Sequence, residues 1–330
     1  MPDRRVRRPS SRRRPPSARL LVPVASVAAV LAVLAGCTGD GGGDGRGRDD
    51  RGGSGGSDRG AAHGGGSGDG GREGSPGASS PPPRPSSPAG SPSPPGARRV
   101  WVPRPGLAWQ WQLNGKADPG VDVPVYDIDG FENSAADVAR LHRDGRKVIC
   151  YVNVGAWEDF RPDADAFPRS LLGRANGWEG ERWLDIRRSD ALRPLMARRF
   201  DMCRDKGFDA VEPDLVEGYA ADTGFPLTAR DQLAYNRMIA GLAHERGLSV
   251  GLKNDLAQIP QLVDDFDFAV NEECAEFDEC ALLSPFIEAG KAVFHVEYEK
   301  PNSSFCAESR RLKLSSMRKN LGLDAWREPC

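Results

Sequence analysis

Histidine is scarce in this chain, with four in 330 residues. Three of them, His142, His244 and His295, lie beyond residue 100, and none stands in a ligand-spaced motif. No metal and no cofactor are therefore expected. Aromatic residues are missing from the first 100 positions, although the chain holds 7 Trp, 5 Tyr and 12 Phe. A stretch without aromatics and crowded with Gly and Pro cannot bury a core. Net charge is also nearly absent, at -2, so no overall field recruits nucleic acid or an acidic partner. What remains is about 230 residues of ordinary globular composition from position 99 onward, close to the ~250 typical of one α/β barrel. One folded domain is expected, over residues 99–330, and it is expected to act as a monomer.

The first third reads as targeting and tether. Arg4, Arg5, Arg7, Arg8, Arg12, Arg13 and Arg14 precede an uncharged apolar stretch at 20–36, the order of an export signal. Its length is at the lower limit for a membrane span. Its end, Leu34-Ala35-Gly36-Cys37, resembles the lipobox of bacterial lipoproteins, so residues 1–36 are expected to be a signal peptide and Cys37 to be acylated as a membrane anchor. Residues 37–98 are low-complexity, first Gly-rich and then Pro- and Ser-rich, a flexible then stiffer spacer. Six cysteines remain beyond Cys37. An even number in an exported chain points to disulfides, and proximity in sequence favours Cys150 with Cys203, Cys274 with Cys280 and Cys306 with Cys330.

Beyond Trp101 strand-like apolar runs alternate with amphipathic segments. Strands are predicted at 108–113, 123–128, 147–154, 210–216, 248–253, 266–271, 292–296 and 312–317. Helices are predicted at 134–144, 189–206 and 228–246, with Gly145 and Gly247 closing two of them in the left-handed conformation. Alternation of β and α elements over eight repeats predicts a parallel sheet closed into a (β/α)8 TIM barrel. Functional residues then belong at the C-terminal strand ends. In order, those ends carry Trp109 and Trp111, Asp127 and Asp129, Tyr151 and Asn153, Glu212 and Asp214 with Glu217, Lys253 with Asn254 and Asp255, Glu272 and Glu273, and Glu297, Tyr298 and Glu299. Aromatic faces stack on sugar rings, amides read hydroxyls, and paired carboxylates supply acid/base and nucleophilic chemistry. Each has a plainer reading: an acid at a strand end can be a helix cap, and Trp109 and Trp111, of one strand parity, can fill the barrel core. Recurrence at seven successive strand ends favours a site.

The block Gly207-Phe208-Asp209-Ala210-Val211-Glu212-Pro213-Asp214 with Glu217-Gly218-Tyr219 resembles the fourth-strand signature of glycoside hydrolase family 114. Residues 150–155, Gly251-Leu252-Lys253-Asn254, Val270-Asn271-Glu272-Glu273-Cys274 and the terminal Leu321-Gly322-Leu323-Asp324-Ala325-Trp326 extend the likeness from Trp109 to the C-terminus. The resemblance implies an extracellular barrel that hydrolyses α-1,4-linked galactosamine polymers, often partly N-acetylated, with Asp214 as nucleophile and Glu272 as general acid/base. Glu273 is the rival for Glu272, and Asp127, Glu212 and Glu297 are candidate supporting acids. A groove containing Asp127, Asp129, Glu212, Glu217 and Glu273 would attract the ammonium of a deacetylated sugar. The second reading of the same residues is a non-catalytic carbohydrate-binding lipoprotein.

Overall fold

A computed structural model describes residues 100–330. The signal segment, Cys37 and the linker at 37–98 lie outside the described residues. The chain opens with β1 (Trp109–Gln112), β2 (Val125–Asp129), α1 (Ala135–Arg143) and β3 (Lys147–Asn153). Three short strands follow, β4 (Ala156–Glu158), β5 (Leu172–Ala175) and β6 (Glu181–Leu184), and then α2 (Ser189–Lys206). The regular alternation resumes with β7 (Ala210–Asp214), α3 (Ala229–His244), β8 (Ser249–Lys253), α4 (Ile259–Leu262) and β9 (Phe268–Glu272). The last elements are α5 (Ser284–Glu288), β10 (Val293–Glu297), α6 (Asn302–Arg311), β11 (Ser315–Arg318) and β12 (Glu328–Pro329).

Strands β1, β2, β3, β7, β8, β9, β10 and β11 pair in that order, all parallel, and make the eight strands of a (β/α)8 barrel. Strand β12 adds antiparallel to β11. Among the described residues no ladder joins β1 to β11. Side chains and the C-terminal segment bridge that seam: Trp109 Nε1 donates to Ser315 O at 2.8 Å, Gln110 Nε2 to Ala325 O at 2.8 Å, and Leu113 N to Leu323 O at 3.0 Å.

Period-2 alternation sorts each strand's side chains between two cores. Inside the barrel lie Trp109, Trp111, Val125, Ile149, Ala210, Phe268, Val270, Phe294, Val296 and Met317. Residues of opposite parity, such as Tyr126, Ile128, Val148, Val211 and Leu252, pack outward against the helices. Helix α1 starts at Ser134, whose hydroxyl caps Asp137 N while Asp137 caps Ser134 N, and Thr228 with Asp231 repeats that box at α3. Gly145 and Gly247 follow α1 and α3 with φ of 77° and 71°, as a left-handed C-terminal turn requires.

Three expectations change. The last strand begins at Ser315 and not at 312, because α6 runs on to Leu312 as its C-terminal cap and Lys313 turns the chain at φ 61°. No helix follows β1 among the described residues; the segment to β2 is loop. Between β3 and α2 an insertion folds into its own antiparallel sheet, ordered β4-β6-β5. Arg161 and Arg199, both buried, tie it to the barrel: Arg161 bridges Glu158 at 2.8 Å and Asp129 at 2.7 Å, and Arg199 grips Asp163 at 2.8 Å.

The cysteines pair as their spacing suggested, Cys150–Cys203, Cys274–Cys280 and Cys306–Cys330, with Cα separations of 6.0, 4.7 and 5.3 Å. Disulfides belong to oxidising compartments, so the fold suits an extracytoplasmic setting. The Cys150–Cys203 bridge spans 53 residues and the Cys274–Cys280 bridge only 6. The longer loop restrains the unfolded chain more. Replacing Cys150 and Cys203 by Ala is therefore expected to lower unfolding free energy by about 3–4 kcal/mol in urea titrations, and replacing Cys274 and Cys280 by clearly less. Equal losses would contradict this ranking.

Candidate active site

The C-terminal ends of β7, β8 and β9 deliver one inward side chain each to a common point. Lys253 from β8 stands between Asp214 from β7 and Glu272 from β9, with Nζ 2.8 Å from Asp214 Oδ1 and 2.9 Å from Glu272 Oε2. Its ammonium is also 3.7 Å from Glu212 Oε1 and 5.2 Å from the centre of the Trp111 ring. Only 3 % of Lys253 is exposed. Burial alone would strip its proton, but the charges of Asp214, Glu272 and Glu212 outweigh that and hold its pKa well above the usual lysine value.

Asp214 is bonded at both oxygens, since Tyr151 OH donates to its Oδ2 at 2.9 Å. Burial pushes its pKa up, yet the Lys253 charge and hydrogen bond, the Leu215 N–H and the Tyr151 hydroxyl together hold it below the usual value. Asp214 is thus an ionised carboxylate. Glu272 receives a short hydrogen bond from Tyr298 OH on Oε1, and Asn254 Oδ1 accepts from Glu272 N at 2.9 Å. Asn254 in turn donates to Glu217 at 3.2 Å. The turns that aim these groups are unusual: Leu215, Asn254, Asp255 and Glu273, just past β7, β8 and β9, have φ of 59°, 48°, 48° and 61°. Left-handed backbone outside glycine costs of order 1–3 kcal/mol per residue and gathers at functional sites.

Beneath the ammonium lies a second pair of acids. Asp127 and Glu212 are wholly buried, and neither Asp127 oxygen nor Glu212 Oε1 has a donor from elsewhere. Trp111 Nε1 serves Glu212 Oε2 at 2.9 Å. For the three oxygens left without a donor, a proton shared between the two carboxyls supplies one. Burial and the Glu212 charge raise Asp127 well above the usual range, and burial brings Glu212, despite Lys253, to about 7.

The remaining expected residues separate by location. Trp109 and Trp111 are 1 % exposed; both fill the barrel, and Trp111 lies against Lys253. Asp129 is clamped by Arg161 and caps Phe131 N and Glu132 N at 2.8 Å. Glu297 has outward parity and lies behind the barrel wall, bonded to His295 and Ala275 N at 2.8 Å. Neither Asp129 nor Glu297 reaches the groove. Asn153 turns to the insertion, accepting from Ala156 N at 2.8 Å and donating to Glu181 Oε2 at 3.3 Å. Tyr298 stays at the site. Glu273 sits past the end of β9; burial and the neighbouring Glu272, Glu297, Glu276 and Glu299 raise it to about 7. Glu181 and the Glu158–Arg161–Arg199 cluster were not foreseen, because the insertion shows neither strand nor helix period. The described residues with metal-ligand geometry, Cys274, Cys280 and His295, include the two cysteines of one disulfide, which leaves no thiolate for an ion.

The model of glycoside-hydrolase family GH114 matches residues 90–330. The chain belongs to that family. The crystal structure of Aspergillus fumigatus Ega3 in complex with galactosamine is similar at 39 % identity, covering 70 % of this chain and 97 % of that one, with a TM-score of 0.66. The glycoside hydrolase domain of PelA from Pseudomonas aeruginosa shares the fold, at 14 % identity and TM-score 0.54, over 67 % of this chain and 97 % of that one. No curated protein sequence matches the chain. The barrel is that of a glycoside hydrolase.

In this GH114 barrel Lys253 is the only cation that contacts Asp214 and Glu272 among the described residues. Lys253→Met should let the Asp214 pKa rise, so the acidic limb of kcat/KM moves to higher pH. Stability should drop by about 3–5 kcal/mol, as when one partner of a buried pair is removed. An acidic limb that stays in place would show that Lys253 does not set the Asp214 charge.

Proposed function

We propose that this glycoside hydrolase cleaves α-1,4-linked galactosamine polysaccharide, partly N-acetylated, by double displacement with retention of configuration. Asp214 is the nucleophile and Glu272 the general acid/base. The observation that carries this reading is the shared contact with Lys253. Distances of 2.8 and 2.9 Å to one nitrogen put Asp214 Oδ1 and Glu272 Oε2 no more than 5.7 Å apart. Retaining pairs stand about 5–5.5 Å apart, while inverting pairs need roughly 6.5–9.5 Å to admit a water.

Asp214, ionised, attacks the anomeric carbon as Glu272 gives its proton to the glycosidic oxygen. The leaving chain departs with that proton. Water, deprotonated by Glu272, then releases the sugar from Asp214. Tyr298 and Asn254 hold Glu272 in place, Tyr151 orients Asp214, and the Asp127–Glu212 pair supports Lys253 from below. The similarity to Ega3, solved with galactosamine, supports the choice of sugar.

The chain is also read as exported and lipid-anchored at Cys37, with residues 37–98 as the tether of a monomeric catalytic domain. Labelled palmitate should enter the wild type and be absent from Cys37→Ser; label in both would place any lipid elsewhere. For the reaction, reducing-end release from partly deacetylated α-1,4-galactosaminogalactan should fall about 10²–10⁴-fold in Glu272→Gln and at least as far in Asp214→Asn, with both variants folded. Wild type that binds the polymer but releases nothing would instead mark a carbohydrate-binding protein, and a product of inverted configuration would remove Asp214 as nucleophile.

A further inference from the structure

Once the partners of each acid at the barrel mouth are known, the carboxylates suited to an amino sugar are not those the strand ends suggested. Asp127 and Glu212 are buried and serve each other. Asp129 is neutralised by Arg161, and Glu217 accepts from Asn254 Nδ2 and Asp255 N, both at 3.2 Å. The insertion contributes its own acids, and three of these are held by arginines. Glu158 meets Arg161 and Arg199, Asp163 meets Arg199, and Asp185 meets Arg187.

Glu181 on β6 differs from all of these. Two neutral amides fix one of its oxygens, Asn176 Nδ2 at 2.8 Å and Asn153 Nδ2 at 3.3 Å on Oε2. Among the described residues its other oxygen, Oε1, has no hydrogen bond, and no cation pairs with Glu181. Asn153 is the residue that pairs in register with Asp214 across β3 and β7. Glu181 therefore stands on the Asp214 side of the mouth, half-buried and held by amides, with no direct ion pair among the described residues and only the more distant charge of Arg161 acting on it. Glu273, which likewise pairs with no cation among the described residues, is on the far side, next to Glu272.

Resting on the galactosamine reading above, we propose that Glu181 is a specificity-determining residue that binds the ammonium of a deacetylated galactosamine unit. The nucleophile attacks the sugar whose C2 substituent lies beside the bond being broken. A carboxylate on the Asp214 side is thus placed for that sugar and not for the leaving chain. The ammonium supplies what Glu181 lacks, a positive donor for Oε1, in a partly desolvated site where a charged hydrogen bond counts most. An acetamido group is neutral and larger, and gains nothing from the charge. Burial, opposed by Asn176 and reinforced by Glu158 and Asp214, brings the Glu181 pKa to about 7 in the empty protein. Raised from its ordinary value, Glu181 is neutral below that pH and ionised above it, so affinity for the amino sugar should grow as pH rises through about 7.

The test compares wild type, Glu181→Gln and Glu181→Asp on two polymers, one extensively deacetylated and one fully N-acetylated, with reducing ends measured across pH. Expected for Glu181→Gln is a KM raised about 10- to 100-fold on the deacetylated polymer, little change on the acetylated one, and a KM no longer falling as pH passes about 7. Glu181→Asp should recover part of the preference. Equal losses on both polymers, or an unchanged preference in a folded Glu181→Gln protein, would overturn the proposal. If wild type cuts neither polymer, it is the galactosamine reading that fails, and the charge test is rerun by titrating galactosamine itself into wild type and Glu181→Gln: tighter binding by wild type supports the role of Glu181, and equal binding overturns it.

Discussion

One buried ammonium holds the chemistry of this barrel together. Lys253 contacts Asp214, Glu272 and Glu212, and without it three carboxylates would crowd a site with little water to screen them. Desolvating an ammonium is costly, several kcal/mol even after relaxation, and three carboxylates around it reverse that cost. The same contacts decide the state of each acid. Asp214, touching the ammonium and the Tyr151 hydroxyl, stays ionised. Asp127, wholly buried beside Glu212, is held well above the usual carboxylate range by burial and by the Glu212 charge, against the pull of Lys253.

The backbone around this point is strained in a way that serves the same end. Leu215, Asn254 and Glu273, none of them glycine, turn left-handed directly after Asp214, Lys253 and Glu272. Each turn lets the strand end abruptly, so its last inward side chain projects into the mouth while the chain leaves for the helix layer. At Gly155 the loop after β3 runs so close to the Leu215 carbonyl that a Cβ would overlap it. The insertion is then locked over this rim by Arg161 and Arg199, whose guanidinium groups are satisfied by several acids in fixed geometry. The surrounding fold supplies the energy that keeps these conformations in place.

Much of the architecture was legible in the chain. Apolar runs at 147–154 and 248–253 read as strands because both faces are covered in a parallel barrel. Helices at 134–144 and 228–246 were readable from amphipathic spacing and from the glycines that close them. The cysteines paired by proximity because neighbours in sequence stay close in a fold of short, successive units. Asp214, Lys253 and Glu272 were recognisable as strand-end residues within matching blocks. Trp109, Trp111, Asp129 and Glu297 have the residue types and strand-end positions of sugar contacts, but whether such a side chain faces the cleft, the core or an arginine depends on its neighbours across the barrel. Glu181 left no signal, since the insertion follows neither period.

Local chemistry along the chain therefore determined the kind of elements, their order, the barrel class and which residue types stand at the strand ends, because propensity, periodicity and capping act over a few residues. Only the tertiary structure decided which acids are paired and which are open. Ionisation depends on burial and on charges brought from distant strands. Lys253 comes within reach of Asp214, 39 residues away, only because β7 and β8 pair side by side in the sheet.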